Sequence, residues 1–117
     1  KLGCGLGQCG SCAILVDGKK KNSCDILAKD YQNCEIITIE GLKTDKGLNI
    51  VQQAFKDFNS AQCGYCTSGI IISLSSVFNK NSKPTNEEIF SSLEGQLCRC
   101  GSHSSVIRAI DKLKVSQ

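Results

Sequence analysis

The sequence predicts an α+β fold in which a β-rich part is followed by a helical part. β-Branched and alternating residues dominate the first part, whereas apolar residues recur with helical spacing from Asn49 onward. The change falls between Gly41 and Gly47. We therefore expect two domains, residues 1–45 and residues 46–117.

The first part contains three strand candidates. Ala13–Val16 is apolar and is followed by Asp17-Gly18, a strong signal for a two-residue hairpin turn. We expect the returning strand over residues 19–23. A third strand is predicted over residues 35–39, which are rich in isoleucine and threonine.

Four helices are predicted in the second part. The first begins near Asn49, and the second covers about residues 66–79. Thr85 and Glu88 have the spacing of a capping box, which opens a third helix that runs to Leu93 and is ended by Gly95. The fourth helix carries Val106, Ile107, Ala109, Ile110 and Leu113.

Eight of the nine cysteines form two groups, and each group supplies the four thiolates that a two-iron cluster needs. The first group has the C-x4-C-x2-C spacing of plant-type ferredoxins, with a fourth cysteine downstream. The second group joins a C-x2-C pair to a distant C-R-C pair. The first group is Cys4, Cys9, Cys12 and Cys24, and the second is Cys63, Cys66, Cys98 and Cys100. We therefore predict two [2Fe–2S] clusters and an electron-transfer function.

These residues fit other uses less well. Disulfides fit poorly, because the cysteine count is odd and no secretory signal is visible. Taken alone, the second group would also suit a Cys4 zinc site, so a zinc-stabilised binding module stays an alternative. His103 is the only histidine, which excludes a Rieske centre. Gly5, Gly7 and Gly10 match a dinucleotide fingerprint, but cysteines interrupt the loop, and a strand-like run follows it where that fingerprint needs a helix.

The composition of the chain argues against two further classes of protein, nucleic-acid-binding proteins and membrane-spanning proteins. The net charge is +3, with four phenylalanines, two tyrosines and no basic stripe, which argues against nucleic-acid binding. No segment is long and apolar enough to span a membrane, and we expect a cytoplasmic protein. The chain lacks methionine, so we expect an N-terminal portion ahead of Lys1. The chain has few apolar residues for building a hydrophobic core, so the bound clusters should contribute much of the free energy of folding.

The cysteine motifs also carry a family resemblance. GCGLGQCGSC at residues 3–12 and Ser23-Cys24 resemble the first-cluster ligands in the small iron–sulfur subunit of the xanthine oxidase family of molybdenum hydroxylases. QCGYCTSGIII at 62–72 and EGQLCRCGSH at 94–103 resemble the two halves of the second-cluster motif, and IEGL at 39–42 has matching spacing. The resemblance covers nearly the whole chain.

The resemblance implies a β-grasp ferredoxin-like domain that lacks its first hairpin, followed by a four-helix [2Fe–2S] domain. It implies a large partner subunit with a molybdopterin cofactor and a further partner with FAD. This chain would relay electrons from molybdenum towards FAD or another acceptor during hydroxylation of an N-heterocycle or aldehyde, with no substrate chemistry of its own. Gln62 and Cys100 match positions that approach the pterin.

The resemblance is not complete, because Ser68 replaces a common proline and His103 a common tyrosine. We expect His103 to be a polar residue at a helix start and Cys34 to be an ordinary small buried residue. Residues 19–21, three lysines, should form a solvated hairpin tip. Arg99 fits either a charge-moderating or a surface role. A freestanding two-cluster ferredoxin is the second alternative function.

Overall fold

The computed structural model describes residues 1–116 and contains three strands and four helices in the predicted order. This confirms the α+β class, whereas the β-grasp layout and the division into two domains stay predictions. Within the described residues, no helix combines the length and apolar character needed to cross a bilayer. The strands are β1 (Ala13–Val16), β2 (Lys19–Asn22) and β3 (Ile36–Ile37), and the helices are α1 (Ile50–Asp57), α2 (Thr67–Lys80), α3 (Asn86–Ser92) and α4 (His103–Val115).

The three strands form an antiparallel sheet in the order β2-β1-β3. Asp17 and Gly18 have φ angles of 49° and 78°, and a two-residue hairpin turn of type I′ requires such positive values at both positions. The predicted strand over residues 35–39 is too long. Gly41 N–H donates to the Thr38 carbonyl at 3.0 Å, and the chain leaves the sheet in a 3-10 turn over Ile39–Leu42.

Side-chain caps fix the starts of two helices. The predicted capping box of α3 is confirmed: Thr85 Oγ1 accepts the Glu88 N–H at 3.2 Å, and the Glu88 carboxylate accepts the Thr85 N–H at 2.7 Å. Asn49 and Gln52 form the same reciprocal pair at α1, at 2.8 and 3.1 Å. Helix α3 ends one residue earlier than predicted, with Leu93 as its C-cap.

One hydrophobic core joins the sheet to the helices. Helix α2 packs against β1, α1 and α3, and α1 also packs against α4. Leu15 of the sheet and Ile72 and Leu74 of α2 are at most 1% exposed. Burial of such a side chain stabilises the fold by about 1.5–3 kcal/mol. Because α2 lies between the sheet and the other helices, its N-terminal end is fixed relative to the first cysteine loop.

Candidate metal centres

The loop of residues 3–12 directs its backbone N–H groups at cysteine sulfurs. Gly5 and Gly7 have φ angles of 68° and 69°, which let the loop curl around its own cysteines. The Cys4 N–H donates to Cys9 Sγ at 3.4 Å. Cys4 Sγ in turn accepts from the N–H groups of Leu6, Gln8 and Cys9 at 3.3, 3.3 and 3.4 Å.

The β1–β2 hairpin returns the chain so that Cys24 meets this loop. Gly7 N–H donates to Cys24 Sγ at 3.2 Å, and Cys24 N–H donates to Cys12 Sγ at 3.4 Å. The Ser23 hydroxyl donates to the Cys12 carbonyl at 2.8 Å and holds the two segments together. The structure therefore brings together the four cysteines of the first predicted site, now called the first site.

The hydrogen bonds change the acidity of these thiols. The Ser11 side chain and the Cys4 N–H lower the pKa of Cys9 to about 6. For Cys12, burial raises the pKa, but hydrogen bonds from Cys24 and Ser23 outweigh it and the pKa is lowered. Gly7 N–H lowers the pKa of Cys24, yet the neighbouring Cys12 thiol and burial leave that pKa raised. Negative charge is thus favoured at Cys9 and Cys12, as thiolate ligands require.

The second group of cysteines lies where two helices begin. Cys66 is the N-cap of α2, and Cys63 lies in the turn before it. Cys98 and Cys100 lie just before Ser102, the N-cap of α4. At a helix start the helix dipole favours anions such as thiolates.

The four sulfurs of this group interact in pairs. The Cys100 side chain lies close enough to Cys63, and the Cys98 side chain close enough to Cys66, to shift the pKa of its neighbour. The buried Ser102 places its hydroxyl 3.2 Å from Cys98 Sγ and donates its N–H at 3.5 Å. A cavity of about 260 Å³ opens among Cys63, Cys66 and Cys98, and Ser11 of the first loop also lines it. These residues form the second site.

The thiols of the second site differ from one another in acidity. Hydrogen bonds from the side chain and backbone of Ser102 lower the pKa of Cys98 to about 6. Burial, followed by the contact with Cys98, raises the pKa of Cys66 to about 11. The Tyr65 N–H, at 3.5 Å, and the Cys100 side chain lower the pKa of Cys63. Cys98 is therefore much more acidic than Cys66.

The arrangement fits an extended cluster. Among the described residues, no three His, Cys, Asp or Glu side chains converge on one point that could hold a single metal ion. A two-iron cluster is an extended object that four thiolates hold, and N–H groups commonly donate to its sulfurs. Each site offers four thiols, and backbone N–H groups point at sulfurs in both. This donor set fits a [2Fe–2S] cluster at each site.

The two sites are joined by a backbone hydrogen bond. Leu97 N–H donates to the Cys9 carbonyl at 3.0 Å, so the residue before Cys98 is bound to the first loop. The Gln96 side chain fills a slot between Gly10 and Gly69, and its Oε1 is buried without a hydrogen-bond partner among the described residues. No local pattern in the sequence points to Gln96, because its slot is formed by residues far away along the chain.

The remaining predicted residues lie near the surface. Gln62 is exposed and precedes Cys63 of the second site, and Cys100 of the same site is exposed as well. His103 is exposed and begins α4, as predicted. The prediction of a buried Cys34 is wrong, because this residue is only partly buried, in a turn in which its N–H donates to the Tyr31 carbonyl at 3.1 Å. The Asp17 carboxylate beside it raises the pKa of Cys34.

Comparison with known proteins gives consistent results. Residues 38–111 match the family model described as "[2Fe-2S] binding domain". The chain is 39% identical to the xanthine dehydrogenase iron-sulfur-binding subunit of Escherichia coli O157:H7, over 94% of this chain and 70% of that protein. It is 37% identical to the nicotinate dehydrogenase small FeS subunit of Eubacterium barkeri, again over 94% of this chain and 70% of that protein.

Among solved structures, the chain superposes on quinoline 2-oxidoreductase from Pseudomonas putida 86 with a TM-score of 0.87 and 38% identity. The match covers 99% of this chain and 72% of that one. The aldehyde oxidoreductase of Desulfovibrio gigas also gives a TM-score of 0.87, at 30% identity, with 98% of this chain but only 13% of that chain covered. Similar proteins thus include separate small subunits and one part of a much longer chain.

Proposed function

The chain belongs to the small iron–sulfur subunits of the xanthine dehydrogenase type of molybdenum-dependent oxidoreductases, and from this we propose that it carries electrons through two [2Fe–2S] clusters. When bound, such clusters supply one-electron chemistry. The observation that carries the proposal is that each site gathers four cysteines with backbone N–H groups aimed at sulfurs. The proposed ligands are Cys4, Cys9, Cys12 and Cys24 at the first site, and Cys63, Cys66, Cys98 and Cys100 at the second.

The hydrogen bonds favour a direction of transfer. Each cysteine sulfur of the first site accepts at least one backbone N–H. At the second site, among the described residues, only Cys63 and Cys98 do so. N–H groups that donate to the sulfurs stabilise the reduced, more negative state and raise the reduction potential. We therefore assign the first site the higher potential, so that electrons pass from the second site to the first.

The connection between the sites suits this role. The hydrogen bond from Leu97 N–H to the Cys9 carbonyl, at 3.0 Å, joins the peptide that leads into Cys98 to a ligand of the first site. One short route of covalent bonds and a single hydrogen bond therefore runs from one set of ligands to the other. The chain's own part is to hold both sets at a fixed separation and to provide this route.

Both sites are open to partners. Cys4 is exposed at the first site, and Cys63 and Cys100 are exposed at the second. Leu6 and Leu97, next to these motifs, expose 69% and 61% of their surface, which leaves apolar surface beside each site for a partner to cover.

We assign the second site, which includes Cys100, and the adjacent Gln62 to a molybdopterin-binding partner, and the first site to an FAD-binding partner or another acceptor. The partner would hydroxylate an N-heterocycle or an aldehyde, the kinds of substrate named for the relatives. Residues 1–45 would then be the β-grasp ferredoxin-like domain and residues 46–117 the helical cluster domain. The cytoplasmic location stays a prediction.

The test is spectroscopic. The chain purified anaerobically should be brown and contain about four irons and about four acid-labile sulfides, and dithionite should produce two distinct paramagnetic resonance signals. Cys9→Ser should remove one signal and Cys98→Ser the other. Cys34→Ser is the matched control and should leave both signals intact, because Cys34 lies outside both sites.

Other outcomes identify the alternatives. A colourless protein that binds zinc would support the binding module and refute the proposal. Two intact signals in a chain that never co-purifies with a molybdenum-containing partner would favour a freestanding ferredoxin. If Cys34→Ser removed a signal, the ligand assignment would be wrong.

A further inference from the structure

Lys20 behaves differently from the lysines on either side of it. The sequence predicts a solvated tip over residues 19–21, and Lys19 and Lys21 are indeed exposed. Lys20 is only partly exposed, and burial lowers its pKa. The prediction is therefore wrong for this one residue, which points towards the helical half of the molecule.

The Lys20 ammonium binds the C-terminal end of α3. Its Nζ donates to the Ser92 carbonyl at 2.8 Å and to the Glu94 carbonyl at 3.2 Å. Carbonyls at a helix C-terminus lack intrahelical partners and carry partial negative charge, so a cation stabilises them. The Glu94 side-chain charge adds attraction, which acts against the effect of burial on the Lys20 pKa.

The residues that follow this contact lead directly into the second site. Residues 93–97, called the connecting segment, run from the end of α3 to Cys98. Lys20 holds its start, Gln96 fills the slot beside Gly10, and Leu97 N–H is bound to the Cys9 carbonyl at 3.0 Å. Of these contacts, Lys20 supplies the only charged group.

We propose that Lys20 is a positioning residue that holds the connecting segment against the first cysteine loop and thereby sets the separation of the two clusters. The inference deepens the proposed function, since it requires both sites to be filled. Lys20 touches neither set of ligands. It acts through the backbone of the connecting segment, which carries Cys98 at its end.

The experiment compares variants of the full chain purified with its clusters. Lys20→Met removes the ammonium but keeps most of the aliphatic stem, and Lys20→Arg restores a cation. Lys19→Met and Lys21→Met are matched controls on the same strand. The measurements are iron content, the magnetic splitting between the two reduced clusters, and hydrogen exchange of a peptide covering residues 93–97.

Lys20→Met should keep its iron but show a smaller splitting than wild type, because dipolar coupling falls steeply with distance. Amide exchange in the connecting segment should rise about tenfold, which corresponds to about 1.4 kcal/mol for the lost charge-assisted hydrogen bonds. Lys20→Arg should restore most of the magnetic splitting and most of the protection of the connecting segment from amide exchange. The Lys19 and Lys21 variants should match wild type.

Unchanged splitting and exchange in an iron-loaded Lys20→Met protein would overturn the inference, and so would equal effects in the two controls. If Lys20→Met does not accumulate, Lys20→Gln provides the same comparison, and wild-type behaviour of that variant would overturn the inference. A wild-type chain without two signals would instead refute the proposed function, so the two failures are distinguishable.

Discussion

Replacing Gly69 with alanine should destabilise the protein, although a glycine-to-alanine change inside a helix usually stabilises by about 1 kcal/mol. Gly69 lies buried in the first turn of α2. A Cβ there would overlap the Gly10 carbonyl oxygen and would lie 2.6 Å from Gln96 Oε1. Overpacking of this kind costs about 1–3 kcal/mol, and the upper end applies because the Gly10 obstacle is backbone.

The net expectation is a loss of about 2 kcal/mol, from about 3 of overpacking less about 1 of helix preference. For a chain of this size, that loss lowers the unfolding temperature by roughly 8 °C. The strain also bears on the loop that carries Cys9, so visible absorbance should be lost along with helicity.

The assay is anaerobic thermal unfolding at one fixed heating rate, followed by circular dichroism and visible absorbance. Asn79→Ala, at an exposed position of the same helix, is the control and should be neutral or slightly stabilising. An unfolding temperature for Gly69→Ala equal to or above that of wild type would refute the packing argument.

Three further predictions concern the sulfurs. Ser102→Ala removes the hydroxyl that lies 3.2 Å from Cys98 Sγ, so a redox titration should show a lower reduction potential for the second cluster alone. The expected decrease is some tens of millivolts, where about 59 mV corresponds to a tenfold change in the one-electron equilibrium. An equal shift at the first cluster would contradict this prediction. In the protein that holds its clusters, Ellman's reagent should titrate one thiol, that of Cys34. Asp17→Asn should speed this reaction at neutral pH, since loss of the carboxylate lowers the raised pKa of Cys34 and increases the thiolate fraction. An unchanged rate would contradict the contact between Asp17 and Cys34. Removing iron with a chelator should lower the unfolding temperature and reduce the helicity measured by circular dichroism, because the cluster ligands lie at the starts of α2 and α4. An apoprotein as stable as the loaded protein would contradict this prediction.

Local signals in the sequence predict the elements that depend on local chemistry. Asp17-Gly18 marks the hairpin because its turn needs positive φ at both residues. Thr85 and Glu88 mark the start of α3 because their reciprocal bonds span a single turn. The two cysteine groups are recognisable in the same way, since ligand spacing is written directly in the chain.

Contacts between distant segments are not predictable in this way. Lys20 binds carbonyls more than seventy positions away, at a separation of 72 residues for Ser92. Because Lys20 stands between two other lysines, the local sequence predicts an exposed segment and gives no sign of this contact. Gln96 lies beside Gly10 only because α2 packs on the sheet, and the sequence pattern does not state which faces of the two halves meet.

The second site is divided along the chain, and this has a consequence for the biogenesis of the protein. Its two cysteine pairs are separated by the whole of α2 and α3, whereas the first site is complete once Cys24 has left the ribosome. We therefore expect the second centre to take up iron only after α2 and α3 have folded and brought its two cysteine pairs together. When iron and sulfide are returned to unfolded apoprotein, the signal of the first centre should develop before that of the second.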